Sequence, residues 1–273
     1  MAKAIAILLL AFPWVATARV HAVHQAPAAR ILWIGAHPDD ETFVAPILGP
    51  ACARQNAVCT LLVFTRGERG ACAIPSGCGP DLGSVRAAEM QQAAAELHAQ
   101  LTLWSLSDVL AGVVETWSSE AGSRDALLER IRAVIAATNP TVLYTFDPRH
   151  GSTCHPAHRA VDALVLEALM QPGTVAPRVM LLETAVQFLE NGFAFSAAIP
   201  DSASIDAQSS WNYLVHNTEI HASQFTPQQT DCLRHIAAEQ KRVYFIGVER
   251  YDEVKSRLQV RWGLALPAED ITK

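Results

Sequence analysis

The strongest constraint on the fold is a series of short, mostly apolar runs separated by helical stretches. Residues 30–36 (RILWIGA), 58–65 (VCTLLVFT), 101–106 (LTLWSL), 141–146 (TVLYTF) and 178–183 (RVMLLE) place apolar side chains at consecutive positions rather than at alternate ones. A strand with one wet face alternates apolar and polar residues, whereas a strand covered on both faces need not. Between these runs, 40–54, 84–100, 124–137 and 156–170 repeat apolar residues at helical spacing. Ser84 is a candidate N-cap, and Pro46 and Pro50 disturb the first of these helices. The alternation predicts an α/β fold, with a mostly parallel sheet covered by helices on both faces. Residues 187–200 read as an antiparallel addition, 226–240 as a helix and 243–248 as a last strand. No compositional break marks a second domain.

In such sheets ligands gather at the carboxyl ends of the strands. The segments after Ala36, Thr65 and Phe146 are unusually polar, so they are the places to look. After the first strand comes His37-Pro38-Asp39-Asp40-Glu41. Packing rarely asks for an imidazole and three acids in a row, but zinc takes both nitrogen and carboxylate ligands, and a neighbouring carboxylate can act as a base. An acidic N-capping turn with a solvated histidine is the plainer alternative. After the fourth strand, three of the ten histidines fall between His150 and His158. His155 and His158 share one helical face if the helix begins there. His37, Asp40 and one of His155 or His158 would make three ligands with a position left open, as in catalytic zinc sites.

At these residues the chain resembles the LmbE/PIG-L family of zinc-dependent deacetylases. Ala36–Glu41 matches its Ala-His-Pro-Asp-Asp-Glu motif, and His155–His158 its His-x-x-His motif. Thr65–Gly70 fits Thr-x-Gly-Glu-x-Gly, Arg86–Glu89 fits Arg-x-x-Glu, Asp108 follows strand three, and His221–Gln224 resembles a late His-x-Ser-Gln element. The resemblance implies a Rossmann-like fold and a Zn2+ ion, or another divalent cation, held by His37, Asp40 and His158. It further implies Asp39 as general base and a protonated His155 that stabilises the oxyanion or serves the leaving amine. Arg86 and Asp108 would bind sugar hydroxyls, and the substrate would be an N-acetyl amino sugar or glycoconjugate. Two departures stand out. Ala157 replaces an aspartate that many relatives carry, so His155 needs another means of orientation. Thr153 stands where some relatives place a tyrosine. A zinc amidase acting on another small-molecule amide and a non-catalytic sugar-binding module are the competing readings. No G-x-G-x-x-G follows the first strand, which argues against a dinucleotide enzyme.

Residues 1–22 read as a signal peptide, with Lys3 ahead of an apolar run and small residues at Ala16, Ala18 and Ala22. The chain is then expected to be exported, as a single domain over 23–273. The run is short for a membrane span, and no later stretch could form one. The formal charge of -6 excludes non-specific nucleic-acid binding as a main activity. Six cysteines in an exported chain suggest disulfides. The near pairs are Cys52/Cys59 and Cys72/Cys78, which leaves Cys154/Cys232, although 15 pairings are possible. His150 and His221 are further candidates for lining the cleft.

Overall fold

The computed structural model describes residues 28–54, 57–146, 151, 153, 155–173, 177–182, 186–189, 192–195, 203–204, 208–239, 242–243 and 245–248. Expectations for residues 1–22, His150 and Cys154 therefore lie outside the described residues.

The first apolar run forms β1 (Arg30–Gly35), buried from its second residue onward. The stretch after it is the helix disturbed by prolines, and it divides into three pieces. Asp40–Phe43 is one turn of 3-10 helix, α1 spans Ala45–Gly49, and Pro50–Arg54 winds as a π-helix. Pro46 is tolerated in the first turn of α1, but Pro50 has no N–H to continue the α-helical ladder, so the winding changes there. Next come β2 (Val58–Thr65), α2 (Leu82–Glu96) and β3 (Gln100–Leu106). The N-cap of α2 is Asp81, not Ser84: the Asp81 carboxylate accepts the Ser84 N–H at 3.0 Å. An ionised acid is the stronger acceptor at a helix start, which moves the start upstream.

The chain continues through α3 (Val113–Glu120), α4 (Arg124–Thr138), β4 (Val142–Phe146), α5 (Pro156–Met170) and β5 (Arg178–Leu182). The antiparallel addition is a hairpin, β6 (Val186–Leu189) with β7 (Gly192–Phe195), and it forms a sheet of its own. After β8 (Ala203–Ser204) come α6 (Gln208–Ile220), α7 (Pro227–Glu239), β9 (Arg242–Val243) and β10 (Phe245–Val248).

The main sheet has the order β10-β5-β4-β1-β2-β3. Every pairing in it is parallel except that of β10 with β5. Side chains alternate across it. Leu32, Ile34, Leu62, Phe64 and Leu143 pack with Trp117, Ile131 and Leu164 of α3, α4 and α5. Ile31, Trp33, Leu61 and Val63 face Leu48, Met90 and Trp211 of α1, α2 and α6, with Leu97 at the end of α2. Both faces are thus covered, which is why the strands read as nearly unbroken apolar runs. Succession runs from β1 outward to β3 on one side and resumes at β4 on the other. The crevice at the carboxyl ends of β1 and β4 is the switch point where such folds bind ligands.

Two disulfides form as expected, Cys52–Cys59 and Cys72–Cys78. Cys232 is a free, exposed thiol, and Cys154, its expected partner, lies outside the described residues. Cys232 lies on α7, and near spacing in sequence gave no guide to a partner for it. Among the described residues, no helix is long and apolar enough to cross a membrane.

Candidate metal centre and active site

The turn after β1 is built around the Asp40 side chain. Its Oδ2 accepts the backbone N–H groups of Ala36 and His37 at 2.7 and 2.8 Å. That leaves Oδ1 turned to His158 Nε2 at 2.9 Å. His37 reaches the same point from β1, its Nδ1 lying 3.2 Å from His158 Nε2 and 3.8 Å from Asp40 Oδ2. Two zinc ligands with bonds of 2.0–2.1 Å at a tetrahedral angle stand about 3.3 Å apart, so these separations suit one small cation among three donors. All three side chains are buried.

Each imidazole is steered from behind. His158 sits in the first turn of α5, stacked on Phe146 at 4.2 Å with the rings 4° from parallel. Its Nδ1 lies 2.8 Å from the Gly151 carbonyl and 3.1 Å from Thr153 Oγ1. The carbonyl can only accept, so Nδ1 donates to it, and this contact fixes the ring with Nε2 facing His37 and Asp40, where it would offer its lone pair to a bound cation. His37 Nε2 lies 3.3 Å from Asp108 Oδ1, an imidazole–carboxylate contact of the kind that supports metal ligands. Asp108 is fixed in turn by the Arg69 N–H at 3.2 Å, and its own N–H is held by Glu68 at 2.8 Å. Burial would lower the His37 pKa, but Asp108 and Asp40 outweigh it and raise it to about 9. Asp40 would be raised by burial, yet His158 and His37 hold it well below the usual carboxylate range. The site demands positive charge, and the donor set is one a divalent cation satisfies.

Asp39 lies beside this cluster in a left-handed conformation, φ 103°. A residue other than glycine is strained there by about 1–3 kcal/mol, and the surroundings must hold it. Arg86 of α2 does so from one side. Its Nη2 lies 3.0 Å from Asp39 Oδ1 and also bonds the Pro38 carbonyl, while Nη1 donates to the Gly67 carbonyl at 2.8 Å. Gly67 is required at that contact: its φ is +62°, and a Cβ would stand 2.1 Å from Arg86 Nη1. Burial raises the Asp39 pKa to about 6, with Arg86 opposing and Asp40 reinforcing the rise. A carboxylate with a pKa near the working pH suits a general base.

His155 is half-buried, its ring edge-on to His37 at 4.7 Å. It is the N-cap of α5, and its Nδ1 accepts the Ala157 N–H at 3.2 Å. The missing aspartate is thus replaced by the backbone of the same position, which leaves the proton on Nε2. Burial, with His37 and His158 close by, lowers the His155 pKa to about 4. That shift favours a neutral imidazole near neutral pH over the protonated one expected from sequence. One nitrogen each of His37, His155 and His158 lies within 4.8 Å of the others, so His155 borders the cation position too. Asp40 Oδ1 stands 2.9 Å from His158 Nε2 on the same side, so both Asp40 and His155 are placed as candidate donors beside His37 and His158.

These groups line a cleft of about 280 Å³ with Phe43, Arg69, Gly70, Leu110, Thr153, Gln224 and Phe225. Arg86 and Asp108, expected to bind sugar hydroxyls, line it as well, and they also lie against Asp39 and His37 at 3.0 and 3.3 Å. His221 is fully buried instead of lining the cleft, with Nε2 2.6 Å from Glu41 Oε1. Sequence reasoning missed the partners that complete this buried layer. Glu41 Oε1 also accepts from Asn217 Nδ2 at 2.6 Å, and Glu41 Oε2 from the Asp39 N–H at 3.2 Å. Glu89 accepts from Ser223 N and Oγ at 2.9 and 2.6 Å. The signal for Asn217 was the helical spacing of Trp211, Leu214, Val215 and Thr218 in α6.

The chain is similar to known proteins in both sequence and fold. The chain is 30% identical over 172 residues to a 1D-myo-inositol 2-acetamido-2-deoxy-alpha-D-glucopyranoside deacetylase of Corynebacterium urealyticum, covering 55% of this chain and 50% of that protein. It therefore spans about half the length of that relative. It is 26% identical to the protein of the same description in Thermobifida fusca, over 71% of this chain and 83% of the relative. In fold it is similar to N,N'-diacetylchitobiose deacetylase from Pyrococcus horikoshii, with a TM-score of 0.59 at 17% identity, covering 82% of this chain and 85% of the other. The sequence profile of the PIG-L family, described as GlcNAc-PI de-N-acetylase, matches residues 32–169, a span that runs from β1 through both histidine motifs to the end of α5. The chain belongs to the PIG-L family.

Proposed function

We propose that this protein is an exported, metal-dependent hydrolase that removes the acetyl group from an N-acetyl amino sugar or a glycoconjugate carrying one. The observation that carries the reading is the Asp39 carboxylate, held under strain beside three converging donors. Packing alone has no use for that arrangement, and a module that only bound sugar would not need a base there. The descriptions of the relatives in Corynebacterium and Thermobifida support the acetamido-sugar class.

His37, Asp40 and His158 would hold the cation, with Zn2+ favoured by the nitrogen and oxygen donors and their spacing. When bound, a divalent cation supplies Lewis acidity and lowers the pKa of water toward about 7. Asp39 takes the proton from the attacking water and later returns it to the nitrogen as the amide C–N bond breaks, so that acetate and free amine leave. His155 donates its Nε2–H to the carbonyl oxygen as negative charge builds there, a contact typically worth about 3–4 kcal/mol. Arg86 keeps Asp39 ionised and in place, and Asp108 keeps His37 turned. Phe43, Leu110 and Phe225 give the cleft an apolar rim that suits the flat face of a sugar ring.

Export rests on the N-terminal pattern and is supported by the two disulfides, which persist in oxidising compartments. A mature N-terminus after Ala22 in the secreted fraction is the expected result. The function is tested by acetate release from N-acetylglucosaminyl-inositol and diacetylchitobiose against unrelated small-molecule amides. The reading expects turnover of the sugars, lost by about 10²–10⁴-fold in Asp39→Asn with metal content retained. Turnover of other amides alone would replace it with the amidase reading, and full activity of Asp39→Asn would remove Asp39 as the base.

A further inference from the structure

The chemistry proposed above uses Asp39, Asp40 and three histidines, yet a second acid–imidazole pair lies directly beneath them. Glu41 and His221 are both wholly inaccessible, and their side chains meet at 2.6 Å across 180 positions of sequence. Asn217 donates to the same Glu41 oxygen at 2.6 Å and to Thr42 Oγ1 at 3.0 Å. The other Glu41 oxygen faces the Asp39 N–H at 3.2 Å. Burying a carboxylate this deeply is costly unless its lone pairs are filled by good donors. A leucine in its place would make a simpler core. The one group of the catalytic turn that Glu41 reaches is the backbone of the residue held at φ 103°.

We infer that His221 and Asn217 form a clamp that aims Glu41 at the Asp39 N–H, making Glu41 and His221 positioning residues for the proposed base. The inference rests on Asp39 having that role. The clamp works by hydrogen-bond geometry: His221 Nε2 and Asn217 Nδ2 saturate one Glu41 oxygen and fix the carboxylate plane, so the second oxygen caps the left-handed turn. Arg86 holds the Asp39 carboxylate from α2, and Glu41, braced by Asn217 of α6 and by His221 just after it, holds its main chain. The clamp also shares its turn with the wall of the cleft. Ser223 O accepts the Ala73 N–H at 2.7 Å, and Gln224 Nε2 donates to Ala71 O at 3.2 Å. One turn after α6 thereby fixes both the base and the disulfide-closed loop facing it, although neither His221 nor Asn217 touches the cleft.

The test compares His221→Gln, His221→Asn and Glu41→Gln with wild type. Glutamine can place an N–H near the position of His221 Nε2, whereas asparagine is too short to reach Glu41. In Glu41→Gln an amide donor can face the Asp39 N–H. The readouts are kcat and KM for acetate release, metal per chain, Tm, and the Asp39 φ in crystals. The clamp predicts that His221→Asn and Glu41→Gln lower kcat about 10–100-fold, the scale of a misplaced reacting group. KM should stay within about twofold, one metal should remain bound, and φ of Asp39 should leave the left-handed region. His221→Gln should recover most of kcat. Equal kcat in all three variants would overturn it, as would losses that follow Tm alone with no recovery by glutamine. Should His221→Asn fail to fold, the comparison of His221→Gln with Glu41→Gln still decides; should Glu41→Gln fail, the two His221 variants do. Full activity of Asp39→Asn would instead count against the base itself, a result distinct from failure of the clamp.

Discussion

Replacing Arg86 with glutamine separates two roles open to this residue, holding the base and binding the substrate. The guanidinium is 4% exposed and serves the Asp39 carboxylate and the carbonyls of Pro38 and Gly67. Glutamine is shorter and neutral, so at most one of the three keeps a donor. A buried acceptor left unpaired costs about 1–3 kcal/mol, and breaking a buried ion pair about 3–5 kcal/mol. The Asp39 side chain retains 21% exposure, so water recovers part of that cost, and a net loss of about 3 kcal/mol follows. In a domain of this size each kcal/mol moves Tm by about 2–4 °C, so Tm should fall by about 6–12 °C. The pH profile carries the sharper signal. Arg86 favours the ionised form of Asp39, so its removal makes the proton harder to lose. The acid limb of kcat/KM should move to higher pH by about one unit or more, the size expected for loss of an adjacent cation. Differential scanning calorimetry and initial rates from pH 4.5 to 9 measure both effects. A raised KM with an unmoved pH profile and an unchanged Tm would refute the reasoning and return Arg86 to the sugar.

Other outcomes are specific to single features. His158→Ala should drop bound zinc well below one per chain by atomic emission, while Thr153→Ala, which keeps the Gly151 carbonyl contact, should leave metal content near wild type. In metal-free protein the Asp39 carboxyl should titrate near pH 6 by carbon NMR, protonated below and ionised above; a midpoint near 4 would show that burial does not govern it. Replacing both Cys72 and Cys78 with serine opens a loop of sequence separation 6 and should cost about 2 kcal/mol in urea unfolding.

Much of the site was legible because metal chemistry restricts which residue types will serve. His37, Asp40 and the pair His155/His158 could be named from two polar segments at strand ends, the choice of His158 coming from the family resemblance, and β1 and β4 bring those ends together. The strand–helix alternation was legible because full burial leaves little freedom in strand composition. The rest depends on contacts whose partners are distant in sequence. Arg86 and Asp108 carry no local sign that they lie against Asp39 and His37. The orientation of His155 turns on an N-cap formed by a side chain that usually performs other tasks. Helix α3 was missed because it is short and contributes little beyond Val113, Val114 and Trp117 to the core. Helix α6 was missed although its spacing was present, since polar residues such as Asn217 are buried in it through contacts visible only in three dimensions. Cys232 shows the same limit, because a count of cysteines says nothing of distance.

The central claim is that one divalent cation sits among His37, Asp40 and His158 beside the Asp39 carboxylate. Anomalous diffraction at the zinc edge, from crystals grown with equimolar zinc, addresses it directly. The account predicts a single peak within about 2.0–2.2 Å of His37 Nδ1, His158 Nε2 and an Asp40 oxygen. A peak bound by the three imidazoles with Asp40 uninvolved, or no peak between β1 and α5, would contradict it.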